Sequence, residues 1–128
     1  MPNHSPRRLI AAATAVQGEY RLRKDFFAAS VGAALSSAAG KLYTGVCMDL
    51  ACGVGFCAEH AAVAEMLKDR ETRIHSVVAV GDDGEILPPC GRCRELMLQL
   101  DTHNADTRVI LGPRRQRKLI DLLPEHWL

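Results

Sequence analysis

At 128 residues the chain suits one domain, 1–128, with a core of its own. Its 48% hydrophobic and 24% charged residues exclude a disordered or fibrous protein. A formal net charge of +1, with one Trp, two Tyr and three Phe, excludes a global basic field and a base-stacking platform, so no nucleic-acid partner is expected.

Met1 to Arg8 is polar, with no apolar stretch behind a basic start, and the Ala-rich run Leu9 to Val16 is too short to span a bilayer. A cytoplasmic protein with no membrane partner is the expectation. Ser5-Pro6 reads as an N-cap followed by proline at the first helical position, opening a helix from Arg7 to about Lys24 with a possible break at Gly18. Val31 to Ser37 alternates small and apolar residues as a strand does. Ala39-Gly40-Lys41 is a turn, and Leu42 to Asp49 a second strand, so the two form a hairpin. Cys52 to Phe56 is a glycine-bearing loop. Cys57 to Arg70 is a helix whose apolar face carries Ala61, Ala64, Met66 and Leu67.

Ile74 to Val80 reads as a buried strand and Gly81 to Gly84 as a turn. Pro88-Pro89 ends an extended stretch, and Gly91 to Leu100 is the next helix. Thr107 to Leu111 is a further strand. The basic run Arg114 to Lys118 reads as a solvated loop leading into a short helix, Leu119 to Leu123, stopped by Pro124. The order suggests a three-layer α/β domain with one mixed sheet.

Five cysteines, an odd number in a chain expected inside the cell, favour metal binding or catalysis over a disulfide framework. Cys57 and the pair Cys90/Cys93 lie at the starts of two predicted helices, where free N–H groups and the positive dipole end favour thiolates. Three cysteine ligands leave the fourth position of a tetrahedral zinc open, as in a catalytic site. Glu59 sits two residues beyond Cys57, close enough to move protons without being a ligand. Three thiolates and a non-ligating carboxylate are what a zinc-dependent base deaminase needs. Arg92, Arg94 and His60 are placed to hydrogen-bond the sulfurs. Two other readings stay open: a closed structural zinc site with Cys52 as fourth ligand, and redox use of Cys90/Cys93 alone. Cys47 and Cys52 read as pocket or core residues. His4, His75, His103 and His126 read as surface or satisfied core histidines.

With these motifs in place the chain resembles the cytidine deaminase family. The matching segments are Val31-Gly32-Ala33-Ala34-Leu35, Tyr43-Thr44-Gly45-Val46, Cys57-Ala58-Glu59, Pro89-Cys90-Gly91-Arg92-Cys93-Arg94 and Asp121-Leu122-Leu123-Pro124, in order over most of the chain. The resemblance implies a three-layer α/β/α domain with a mixed five-stranded sheet, and a homotetramer with active sites near subunit junctions. It implies one Zn2+ per subunit on Cys57, Cys90 and Cys93, Glu59 as proton shuttle, and the backbone of Ala58 against the base edge. The substrate implied is a small nucleoside, cytidine or deoxycytidine.

Departures concern the sugar. Family members acting on cytidine usually hold the ribose with Asn and Glu where this chain has Cys47 and Asp49. The family's aromatic-proline pair is Ala29-Ser30 here, and the Arg that often follows Cys-Ala-Glu is His60. The missing aromatic, the missing Arg, and Trp127 after Leu-Leu-Pro resemble the blasticidin S deaminase branch, which implies a modified cytosine nucleoside as the rival substrate and Trp127 as part of a substrate pocket. A subunit contact or a loose tail is the other reading of Trp127. That branch keeps the Asn that Cys47 replaces here.

Overall fold

The computed structural model describes residues 4–128, so the part of the polar start that covers residues 1–3 lies outside the described residues. Helix α1 spans Pro6–Val16. Ser5 caps it, with Oγ accepting from Arg8 N–H at 3.2 Å, and Pro6 opens it. The predicted continuation to Lys24 is not helical. The chain turns extended at Gln17, and Tyr20–Arg23 is a short strand, β1, that hairpins onto β2, Phe26–Ser37. All four residues of β1 are exposed, so this stretch offers no apolar stripe for a helix to bury. The second strand thus begins five residues before Val31, within an antiparallel pair that satisfies its backbone.

Strand β3, Leu42–Asp49, pairs antiparallel with β2 and has the predicted bounds. It leaves the sheet through a loop containing the 3-10 turn Ala51–Gly53. A bridge between Met48 and Phe56 closes that loop and delivers the chain to α2, Ala58–Lys68. Strand β4, Ile74–Val80, and helix α3, Gly91–Leu100, also match expectation, and the two-residue strand β5, Ile86–Leu87, lies between them. Strand β6 is Arg108–Gly112. The basic run expected as a loop is instead an edge strand, β7, Arg115–Lys118, antiparallel to β6. Its alternating side chains bury nothing large on either face, so no apolar pattern announces it; the backbone ladder holds it. A 3-10 turn, Leu119–Leu122, stands where a short helix is expected.

The sheet runs β3-β2-β4-β6-β7. Short β1 also pairs with β2, and short β5 with β4. Seven strands therefore make a mixed sheet, with five on its longer path and β4–β6 its parallel pair. Helix α1 covers one face, burying Leu9 and Ala13 against Ala34, Val78, Val80 and Ile110. Helices α2 and α3 cover the other, where Met66, Val63, Met97 and Leu98 pack on Leu35, Val77 and Val109. This is the three-layer α/β/α arrangement. Among the described residues no helix is long and apolar enough to cross a membrane.

One close approach positions the site. A Cβ on Gly45 of β3 would lie 2.4 Å from Ala62 N and 2.6 Å from Ala61 Cβ. Only a glycine lets α2 press this closely on β3. The first turn of α2 thereby lands over the end of β3, where Cys47 packs with Ala33, Ala58 and Ala79.

Candidate active site

Cys57 and Cys90 are the N-caps of α2 and α3, both in extended conformation. Their thiols turn to each other. Cys57 Sγ lies 3.5 Å from Cys90 Sγ, which is 3.6 Å from Cys93 Sγ, one turn into α3. All three sulfurs lie within 4.8 Å of one another. A tetrahedral zinc with Zn–S bonds of about 2.3 Å holds its sulfurs about 3.8 Å apart, so the cluster fits that ion. Cys52 is exposed on the 3-10 turn and is not among the clustered sulfurs.

The three thiols differ. Burial raises the pKa of Cys57, and its hydrogen bond to Cys90 adds to this. Burial and the nearby Glu59 carboxylate push Cys93 well up. Burial also opposes ionisation of Cys90, but hydrogen bonds outweigh it, including the backbone N–H groups of Cys93 and Arg92, and its pKa falls. The helix end thus activates one sulfur, and the other two need a cation. A soft tetrahedral metal, with zinc the best match to three thiolates, answers both needs.

Glu59 follows in the first turn of α2, 5% exposed. Burial raises its pKa, against the pull of its own backbone N–H and of the Cys93 thiol. A carboxyl raised toward neutrality is suited to accept and return a proton. His60 Nδ1 stands 3.5 Å from Cys93 Sγ, as the expected neighbour of the sulfurs. Arg94 does not join it. Its Nε donates to Pro89 O (2.7 Å) and its Nη1 to Leu122 O (2.9 Å), which ties the segment before Cys90 to the C-terminal turn.

These groups open on a cleft of about 520 Å³. Cys57, Ala58, Glu59 and Cys90 line one end, and Cys47 and Asp49 line it as well; Cys93 is fully buried behind them. Trp127 is not on the cleft. It is 77% exposed, and its Nε1 donates to Glu95 Oε1 at 2.7 Å.

Of the lining residues that escaped the sequence reading, two bear directly on recognition. Phe56, just before Cys57, places an aromatic ring in the cleft, where the expected aromatic before Val31 is lacking. Ser30 is the second. A bulge lies between Ala28 and Gly32, and Ala29 takes φ 66 within it, turning Ser30 into the cleft. Its Oγ is 3.0 Å from Asp49 Oδ2 and 3.1 Å from Cys47 Sγ, which also accepts from Val31 N–H at 3.2 Å. The only advance signal for Ser30 was its place beside a predicted strand; for Phe56, its place beside a predicted ligand.

No protein-family model matches the chain. It is 35% identical over 97 residues to the cytidine deaminase of Mycobacterium tuberculosis (strain ATCC 25618 / H37Rv), covering 75% of this chain and 71% of that protein. The crystal structure of cytidine deaminase from Mycobacterium tuberculosis superposes with a TM-score of 0.77 at 32% identity, over 93% of this chain and 94% of that one. The crystal structure of cytidine deaminase from Burkholderia pseudomallei also gives a TM-score of 0.77, at 28% identity, over 97% of this chain and all (100%) of that one.

Proposed function

The chain belongs to the cytidine deaminase family, and from that premise we propose that it hydrolyses the exocyclic amine of a cytosine nucleoside, cytidine or deoxycytidine, to give the uracil nucleoside and ammonia. One observation carries this reading: a buried carboxyl, Glu59, beside three clustered cysteine sulfurs at the end of a nucleoside-sized cleft. A structural zinc module has no use for that carboxyl.

Cys57, Cys90 and Cys93 would hold one zinc per subunit. When bound, zinc supplies the Lewis acidity that makes water a nucleophile at neutral pH. Glu59 accepts the proton of the attacking water as its oxygen bonds to C4 of the ring. It passes that proton to the ring nitrogen, then takes the proton of the new C4 hydroxyl and delivers it to the departing amine, so that ammonia leaves as the C4–N bond breaks and the C4 carbonyl forms. Phe56 gives the flat base an apolar face, and the Ala58 backbone meets its edge. The working form is a cytoplasmic homotetramer, in which the exposed Trp127 ring serves a neighbouring subunit or its pocket.

A second reading, deamination of blasticidin S or another modified cytosine nucleoside, is favoured by one observation. Cys47 and Asp49 are tied to Ser30 and do not form the ribose-holding pair of cytidine-specific family members. Ammonia release by the zinc-loaded protein tests both readings on a panel of cytidine, deoxycytidine, cytosine, blasticidin S and N4-modified cytidines, with Glu59→Gln as blank. Turnover of cytidine supports the first reading, and turnover confined to the bulkier compounds supports the second. No turnover, with zinc bound in both proteins, returns the site to a structural role.

A further inference from the structure

We propose that Ser30, Cys47 and Asp49 form a corner of the cleft that offers acceptors only. It selects cytosine nucleosides whose sugar presents hydrogen-bond donors, an ammonium above all, and it rejects sugar substituents that only accept or that carry negative charge. This rests on the nucleoside reading above and names the sugar class that the same cleft takes.

A count of donors carries the argument. Three donors enter the corner's side-chain hydrogen bonds: the Val31 N–H, the Ser30 hydroxyl and the Cys47 thiol. Val31 N–H is spent on Cys47 Sγ at 3.2 Å. Ser30 has one proton and two neighbours, and the carboxylate is the stronger acceptor, so Ser30 donates to Asp49 Oδ2 at 3.0 Å. The Cys47 thiol then donates to Ser30 Oγ at 3.1 Å, with Asp49 Oδ2 also 3.7 Å away. Cys47 is 5% exposed beneath the other two. All three donors are consumed inside the corner. What still faces the cleft is the free lone-pair capacity of Asp49 and its charge.

The corner is also where a sugar must go. Among the described residues, polar side chains other than thiols line the cleft at four places: Glu59 and Arg92 next to the cysteines in sequence, Ser30 and Asp49 around Cys47. The remaining wall, with Leu50, Phe56, Leu87 and Pro88, is apolar or backbone. Among this chain's own side chains, a base that reaches Glu59 leaves its hydroxyl-bearing half Ser30 and Asp49 to meet. Cys47 packs directly on Ala58, so the corner adjoins the base end. Among the described residues, Arg92 is the one lining cation; it lies in the first turn of α3 beside the cysteines, and no cation of this chain's lining answers a sugar phosphate at the corner. Ser30 acts through Asp49, as a positioning residue: the bulge aims it, and it fixes one oxygen of an otherwise exposed carboxylate.

Steady-state kinetics on the zinc-loaded full chain test this with cytidine, 3′-amino-3′-deoxycytidine, 3′-fluoro-3′-deoxycytidine and cytidine 5′-monophosphate. The amino compound is expected to have a KM roughly tenfold below cytidine, and the fluoro compound and the monophosphate one roughly tenfold above, since a charge-assisted hydrogen bond is about twice as strong as a neutral one and an acceptor facing an acceptor gains nothing. For the two 3′ analogues kcat stays within about twofold of that for cytidine, because binding and not the reacting bond changes. Ser30→Ala is expected to move the amino-to-fluoro KM ratio toward one, and Asp49→Asn, which brings in a donor, to bring it to one. Equal KM values across the series, or a ratio untouched by Ser30→Ala, overturn the corner while cytidine turnover leaves the deaminase reading standing. Absence of turnover with every compound overturns the reading and the corner together.

Discussion

The cysteine end of the cleft and the Ser30–Cys47–Asp49 corner meet at Ala58, yet they are held in place by different means. At the cysteine end, position follows from two helix starts. Cys57 and Cys90 are N-caps, Glu59 and Cys93 lie in the first turns, and the backbone fixes all four. At the corner, position follows from the register of β2 against β3 and from one bulge at Ala29. Helix starts are local in sequence and tolerate little change. A bulge between strands re-aims single side chains while the sheet persists. On the proposed function, the chemistry is built on the helix starts and the choice of substrate on the bulged strand.

The most severe way to break this contrast is Cys93→Ala. It removes the fully buried sulfur, and the protein is expected to lose its metal, read by elemental analysis, together with all turnover. Glu59→Gln should instead leave metal content intact and lower kcat by about 10³-fold, the usual worth of a positioned proton shuttle. Loss of metal in that variant would contradict its separation from the ligand set. His60→Ala probes the layer behind the sulfurs. Its ring nitrogen faces Cys93 Sγ, and its loss should weaken zinc by about 10- to 100-fold in competition with a chelator, with KM for nucleoside unchanged.

The smallest effect is a control outside both ends. Asp101 caps the turn after α3. It accepts from His103 N–H and Nδ1, each at 2.9 Å, and from the Thr72 hydroxyl at 2.8 Å. The His103 backbone N–H leads in holding its pKa at about 2, below the ordinary 3.8. A lowered carboxyl stabilises the fold above its unfolded pKa, and that stability is lost as pH falls from about 4 through about 2. Asp101→Asn should flatten this acid limb in thermal melts by on the order of 1 kcal/mol, given the exposed His103 partner, and should leave both ends of the cleft as they were.

The same contrast decides what could be read in advance. Cys57, Glu59, Cys90 and Cys93 announce themselves because their spacing is local and their chemistry rare. Leu42–Asp49, Ile74–Val80 and Gly91–Leu100 follow from unbroken periodic patterns. Tyr20–Arg23 and Arg115–Lys118 do not, since exposed strands carry no apolar alternation and exist by pairing with β2 and β6. Ser30 and Phe56 reach the cleft through a bulge and a bridge, both set by distant partners. Arg94, adjacent to Cys93, serves Pro89 and Leu122, which no spacing rule could assign.

The parallel pairing of β4 with β6, Ser76 beside Arg108, has a consequence for how the molecule is made. The segment between these strands carries Cys90, Cys93 and all of α3. That pair forms only after a long loop has closed, which is a slow step compared with the β2–β3 hairpin. A chain still emerging from synthesis has Cys57 in place well before β6 exists. On the proposed zinc reading, grip on the metal by all three sulfurs waits for the last strands, and the rate of metal uptake during refolding is expected to report when the sheet is complete.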